Sequence, residues 1–298
     1  MKTRYARDRG LSARMGLTLF VLGLLYVVAM AVLIWFGFPA VFVVGIAIVV
    51  LWGQWYYSDR IALYAMRAQD VTPEQAPDLH AVIDRLCAMA DMPKPRVTIA
   101  QSDVPNAFAT GRSPQNSAVC VTTGLLRRLN RDEVEAVLSH ELSHIAHRDV
   151  TVMAVASFVG VLAGVMTRSF LWGGMYRRSG NQNTAFALLA VLVVSVIVYI
   201  TSFLLIRALG RYRELAADRA GALLTGRPSH LASALQRISG DMGQIPTEDL
   251  RRAEPVNAFF FAPALAGGVS LASLLSTHPS LDRRLENLAK VAAELGQA

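Results

Sequence analysis

Long uncharged apolar runs alternate with amphipathic segments along this chain. No charged residue occurs from Gly16 to about Phe36, and a Gly37-Phe38-Pro39 turn leads into a second run from about Ala40 to Tyr57. A helix rises about 1.5 Å per residue, so such runs are long enough to cross a hydrocarbon layer of about 30 Å. Trp35, Trp52, Trp55, Tyr56 and Tyr57 sit near the run ends, where aromatic belts form. A third run, from about Val150 to Phe170, holds Gly160 and Gly164 at a spacing that permits close helix packing. A polar loop, Arg168 to Thr184, separates it from a fourth run, Ala185 to Ile206. The pattern predicts two transmembrane hairpins, residues 15–57 and 151–206. A secretory signal does not fit the first run, because its apolar core would be shorter and would lead to a small-residue cleavage site.

Between the hairpins the pattern turns amphipathic. Ile61 to Gln69 reads as a helix continuing off the second span, and Thr72-Pro73-Glu74 opens another, about Pro77 to Ala90, with Leu79, Val82, Ile83 and Leu86 on one stripe. Asp91-Met92-Pro93-Lys94-Pro95 breaks it. Three strands follow: Arg96 to Ala100, Asn106 to Gly111, and Ser117 to Thr122. An edge of this small sheet can pair with an extended peptide, which makes Asn106, Ala107 and Phe108 candidate substrate-binding residues. Asn130 and Glu133 form a capping-box pattern that starts the next helix, which ends near Arg148. Beyond the second hairpin, Leu231 to Ile238 is amphipathic and Gly240 to Gly268 is loop-rich. That loop carries an aromatic run, Asn257-Ala258-Phe259-Phe260-Phe261, that suits a membrane-facing or substrate-covering role. Leu281 to Leu295 closes the chain as a helix.

Composition supports the membrane reading. The 298 residues are 53% hydrophobic and only 17% charged, against about a quarter charged in soluble domains. The mean hydropathy is +0.38. The formal net charge of +7 does not point to nucleic acid, because the basic residues bracket the apolar runs. Lys2, Arg4, Arg7, Arg9 and Arg14 face a single Asp8 in the tail, so residues 1–14 read as a basic cytoplasmic tail under the positive-inside rule. Arg168, Arg177 and Arg178 fit that rule badly if their loop is external, so the second hairpin is expected to tilt or embed partly. Cys87 and Cys120 are far apart and lack metal spacing.

The candidate chemistry centres on His140-Glu141-Leu142-Ser143-His144. Histidines four apart sit roughly 40° apart around a helix and can reach one metal ion, and Glu141 beside them is placed to act as a base on water, the HExxH arrangement of zinc proteases. His147 faces a similar way but lies too far from His140 to be the favoured third ligand. After the second hairpin, Arg211 to Asp218 brings two acids four apart onto one helix face. Glu214 is the candidate third ligand, giving two histidines, a carboxylate and one open position. Asp218 is then the group that hydrogen-bonds the far nitrogen of a ligand histidine. A metzincin site needs a third histidine at position 150, where this chain has Val150. His278 and Arg284 are candidate oxyanion donors, and His80 and His230 read as surface or capping residues.

These pieces together resemble the HtpX heat-shock proteases and, more distantly, the CAAX prenyl endopeptidases. The resemblance rests on the N-terminal hairpin, Asn106-Ala107-Phe108-Ala109-Thr110-Gly111, His140 to His144 with Asp149 beyond, the second hairpin, Arg213-Glu214 through Asp218, and Thr277-His278-Pro279. The chain departs at His147, where relatives commonly have a smaller or polar residue. The resemblance implies one Zn2+ per chain on His140, His144 and Glu214, Glu141 as catalytic base, and a return of the His278 segment to the site. It implies a bacterial cytoplasmic membrane location, with tail, catalytic domain and C-terminus in the cytoplasm. The substrates implied are misfolded or damaged membrane polypeptides, handled as stress-response quality control. The expected fold is a mostly α integral membrane protein: two transmembrane hairpins plus a zincin-like (gluzincin) α+β domain with a small sheet, built from residues 58–150 and 207–298. The competing readings are a CAAX-type processing protease and a non-catalytic metal-binding membrane adaptor. Lipid is the expected surroundings, nucleic acid is not an expected partner, and the oligomeric state is not specified.

Overall fold

Caps and turn residues set the element boundaries. The computed structural model describes residues 5, 8–35, 40–149, 152, 182–242 and 278–297. Residues Met1–Leu11, Tyr57–Thr151 and Gly210–Ala298 form one unit, and Ser12–Tyr56 with Val152–Leu209 form the other. Most of the third apolar run with its glycines, the loop to residue 181, and residues 243–277 with the Phe259–Phe261 run lie outside the described residues.

The second unit is helical. Helices α1 (Arg9–Trp35) and α2 (Ala40–Ala65) occupy the first two apolar runs, and α6 (Gln182–Thr225) contains the fourth. Among the described residues, Arg9–Val32 and Leu192–Thr225 are long and apolar enough to cross a membrane. Residues 40–58 of α2 carry no charge either. Leu22 and Val198 pack together, flanked by Leu25, Ala29, Val194 and Leu205. Phe20, Val27, Ile197 and Ile200 are exposed, an apolar surface of the kind that meets lipid or a partner. The fourth run and the Glu214 segment, read as separate pieces, are one helix of 44 residues. No proline falls between Ile206 and Arg211 to break it. The apolar stretch ends at Arg207, and from Gly210 the helix belongs to the other unit.

That unit is built on a four-stranded mixed sheet ordered β1-β2-β4-β3. Strand β1 is Gln69–Asp70, β2 is Arg96–Ala100, β3 is Ala107–Ser113 and β4 is Asn116–Thr122. β2 and β4 are parallel, and the other pairs are antiparallel. The two-residue β1 is too short to leave an alternating signal in the sequence. The bulge in β3 between Gly111 and Ser113 depends on Gly111, whose φ is +140° and whose added Cβ would meet Asn116 O at 2.4 Å. Helix α3 (Pro77–Ala90) starts with proline in its first turn and ends at Asp91 in the left-handed region. Short α4 (Thr123–Arg128) is capped by the Thr122 hydroxyl, which accepts from Leu125 N. Helix α5 (Arg131–His147) opens on the capping box, Glu133 N to Asn130 Oδ1 at 2.9 Å and Asn130 N to Glu133 Oε2 at 3.0 Å. Helices α7 (Pro228–Met242) and α8 (Leu281–Glu294) complete the described set.

The main core gathers Leu86 of α3, Val119 of β4, Leu138 and Leu142 of α5, Leu235 of α7 and Leu288 of α8. The opposite sheet face packs Ala100, Phe108, Ala118 and Cys120 against Ala62 and Leu63 at the end of α2. His80 is not a surface residue: it is buried, with Nε2 3.0 Å from Val71 O, because its position falls on the inner stripe of α3.

Candidate metal centre

Helix α5 carries His140 and His144 one turn apart, and α6 crosses it so that Glu214 and Asp218 reach the same place. Gly221 makes the crossing possible, since a Cβ there would stand 2.9 Å from His140 N and 3.1 Å from its Cα. The Ser139 hydroxyl donates to Gly221 O at 3.1 Å and seals the contact.

Each histidine is held from behind. His140 Nδ1 lies 2.9 Å from Asp218 Oδ1, and His144 Nδ1 lies 2.9 Å from Asp149 Oδ2. Both Nε2 atoms therefore turn inward and stand 3.2 Å apart. Glu214 closes a triangle with them, Oε2 at 3.5 Å from His140 Nε2 and Oε1 at 3.6 Å from His144 Nε2. All three side chains are buried. Inward-facing imidazole nitrogens this close need a proton or a cation between them, since two bare lone pairs would repel. Bonds of about 2.0–2.1 Å around a tetrahedral ion put ligand atoms about 3.3 Å apart, so the spacing and donor chemistry fit a zinc-sized ion. Among the described residues, this is the group of His, Cys, Asp and Glu atoms close enough to hold a metal.

Arginines hold the supporting carboxylates. Arg284 donates to both Asp218 oxygens, from Nε at 2.8 Å and Nη2 at 2.6 Å, so this residue, weighed as an oxyanion donor, instead grips the partner of His140. Arg213 Nε lies 3.2 Å from Asp149 Oδ2, and its Nη2 lies 3.5 Å from Glu214 Oε1. His278 Nδ1 lies 3.4 Å from Glu214 Oε2, while Thr277 beside it is outside the described residues. His147 is half-buried at the end of α5, its ring 6.2 Å from that of Tyr5.

The charges respond to this packing. Burial opposes a charge on His140, yet Asp218 and Glu214 outweigh it and push its pKa up to about 9 in the apoprotein. Burial pushes His144 down, the nearby Asp149 only partly opposing it. Burial would raise Glu214, but His278 and His140 hold it well below the usual carboxylate range. Glu141 behaves oppositely: burial pushes it up to about 7, with His140 opposing. It is thus a carboxyl poised to exchange a proton near neutrality.

Glu141 Oε2 also accepts from Ala109 N at 2.9 Å. β3 is a sheet edge, and in an antiparallel ladder alternate residues turn both backbone groups to one side. Asn106 faces β4, its carbonyl accepting from Thr122 N at 2.9 Å. Ala107, Ala109 and Gly111 therefore turn to the edge away from β4, where Ala107 and Gly111 are buried and Ala109 N is held by Glu141. Of the expected substrate-binding trio, Asn106 is buried against β4, Phe108 points into the cluster under α2, and Ala107 alone turns its backbone outward. Asp149, Arg213 and Ala109 lie within the resembling motifs, but their contacts here come from the fold. A carboxylate one residue past the helix cap was the available signal for Asp149.

Two histidines and a glutamate on crossing helices, each histidine backed by a carboxylate and with a glutamate of raised pKa alongside, define a metallopeptidase-type centre. The comparisons with known proteins agree. Residues 73–292 match peptidase family M48. A "Protease HtpX homolog 1" of Streptomyces coelicolor is 55% identical over 298 residues, covering 100% of this chain and 98% of that one. A "Protease HtpX homolog" of Moorella thermoacetica is 48% identical, covering 99% of each. The crystal structure of S. mikatae Ste24p superposes with a TM-score of 0.52 at 17% identity, over 92% of this chain and 63% of the other. The chain belongs to peptidase family M48 and, within it, to the HtpX proteases. It is a membrane-associated metalloprotease acting on polypeptides.

Proposed function

We propose that the chain is a zinc-dependent endopeptidase that cleaves misfolded or damaged membrane proteins at the cytoplasmic face of the bacterial inner membrane. His140, His144 and Glu214 would hold one zinc ion, and the inward-facing Nε2 atoms 3.2 Å apart, with Glu214 3.5 and 3.6 Å away, carry the reading. Bound there, zinc supplies Lewis acidity toward water and the scissile carbonyl. Asp218 and Asp149 fix the imidazole orientations and raise their basicity.

Glu141 takes a proton from the attacking water and delivers it to the leaving amine, a role suited to a carboxyl whose proton affinity burial raises. His278, beside Glu214, is the candidate donor to the oxyanion. An extended substrate would add to the edge of β3 away from β4, pairing with the outward groups of Ala107 and Gly111 and the carbonyl of Ala109. Residues 15–57 and 151–206 would form the two membrane hairpins, with residues 1–14 and the catalytic domain, 58–150 and 207–298, on the cytoplasmic side. A metal-binding adaptor would have no use for Glu141, and no observation favours a narrow CAAX-type processor. The test is Glu141→Gln in the purified full-length protein with casein as substrate. Zinc should stay near one per chain while cleavage is lost; cleavage at the wild-type rate would remove Glu141 from the mechanism.

A further inference from the structure

The N-terminal segment touches both helices of the candidate metal centre. Tyr5 is buried in the main core, although the residues around it read as a solvated basic tail. Its hydroxyl donates to Ser139 O at 2.8 Å and lies 3.4 Å from Ser139 Oγ. Ser139 immediately precedes His140, and its own hydroxyl donates to Gly221 O on α6. The Tyr5 ring also lies 6.2 Å from that of His147, so the side chain runs along α5 from its last turn toward His140.

The same segment meets α6 at a second point. Asp8 caps α1 by accepting from Leu11 N at 2.8 Å, and both its carboxylate oxygens lie 3.5 Å from Tyr212 Oη. Tyr212 stands two residues before Glu214. A Cβ on Gly10 would meet the Tyr212 oxygen at 2.5 Å, so the first turn of α1 lies directly against the Tyr212 hydroxyl.

We propose that Tyr5, Asp8 and Gly10 form a strap that holds α5 against α6, making Tyr5 and Asp8 positioning residues for the metal centre. The proposal rests on His140, His144 and Glu214 being the metal set. That set is divided between two helices, so its affinity depends on their spacing being fixed before the ion arrives. The Tyr5 contact acts at the turn bearing His140, and the Asp8 contact acts on α6 at Tyr212, one half-turn before Glu214 and on the opposite face of the helix. The two sides of the ligand triangle are therefore tied to one short stretch of chain. Packing alone does not account for the arrangement, because each contact ends on a polar atom one or two residues from a ligand.

The test compares wild type, Tyr5→Phe and Tyr212→Phe as full-length protein in detergent. Tyr212→Phe removes the Asp8 contact while leaving Asp8 to cap α1, so it serves even if Tyr5→Phe folds poorly. Three quantities are read: the rate of zinc loss to a chelator, the visible spectrum of the Co2+-substituted protein, and thermal unfolding of the chelated protein. Losing the 2.8 Å Tyr5 bond should speed zinc loss about fivefold, losing the longer 3.5 Å Tyr212 contact should speed it by less, and both should alter the cobalt bands with apoprotein unfolding little changed. Wild-type zinc loss and an unchanged cobalt spectrum in both variants would overturn the proposal, as would a fall in apoprotein stability with metal retention intact. Glu214→Ala separates the two levels. If it retains zinc like wild type, the metal-set reading fails; if it loses zinc while both tyrosine variants behave as wild type, only the strap fails.

Discussion

Gly221→Ala puts a methyl group where α6 crosses α5. The new Cβ would stand 2.9 Å from His140 N, 3.1 Å from His140 Cα and 3.2 Å from Ser139 C, all backbone atoms of α5 that cannot rotate away. Ordinary contact begins at 3.4 Å, so the helices must part by about half an ångström. Glu214 lies seven residues before Gly221, about two turns and on nearly the same face, so the displacement is passed to a ligand oxygen. Metal sites tolerate about 0.2 Å in bond length, and the shift exceeds that. Overpacking of this kind costs about 1–3 kcal/mol, offset in part by the higher helix propensity of alanine, about 1 kcal/mol. Zinc affinity should fall about 10–100-fold, the range seen when groups supporting a metal ligand are disturbed. Competition against chelators of graded affinity, with thermal unfolding in parallel, measures both effects. Gly240→Ala is the control, since a Cβ there meets nothing within 4 Å. Wild-type zinc affinity in Gly221→Ala, with or without a lowered melting temperature, would refute the idea that this crossing sets the ligand spacing.

Two further outcomes follow from the same geometry. With His140 raised from 6.5 to about 9 in the apoprotein, its proton stabilises the folded apo state fully below pH 6.5 and ceases to do so as pH rises through about 9. Zinc must displace that proton, so apparent affinity should climb about tenfold per unit between pH 7 and 8; a flat titration contradicts the assignment. Asp149→Asn removes the charge that orients His144 and should weaken zinc binding about 10–100-fold, with calorimetric titration as the check and unchanged affinity as the contrary result.

The parts of the fold readable from sequence are those fixed by neighbouring residues. Asn130 and Glu133 cap α5 through contacts three residues apart, and Pro77 and Asp91 bound α3 in the same local way. β2 and β4 declare themselves through β-branched residues between turn residues, and β3, with Thr110 alone, through its place between two turns. What depends on a distant partner is harder to see. Asp149 turns back to His144 only because Arg148 adopts a left-handed conformation, φ 58°, at the end of α5. Arg284 is a long cation in the first turn of amphipathic α8, and nothing near it in sequence says that it grips Asp218, 66 residues earlier. Tyr5 sits among arginines, yet it finds Ser139 134 residues away. His140 and His144 show in their four-residue spacing and Glu214 with Asp218 in theirs once set beside that motif, whereas Arg284 and Tyr5 support the site from elements whose local sequence gives no sign of it.

The central claim is that one ion joins α5 to α6. An anomalous difference map recorded at the zinc absorption edge from crystals of the full-length protein tests it directly. The account predicts one strong peak within bonding distance of His140 Nε2, His144 Nε2 and a Glu214 oxygen, with Asp218 and Asp149 still behind the two imidazoles. A peak that leaves Glu214 uncoordinated, or one held by His147 in its place, would contradict it.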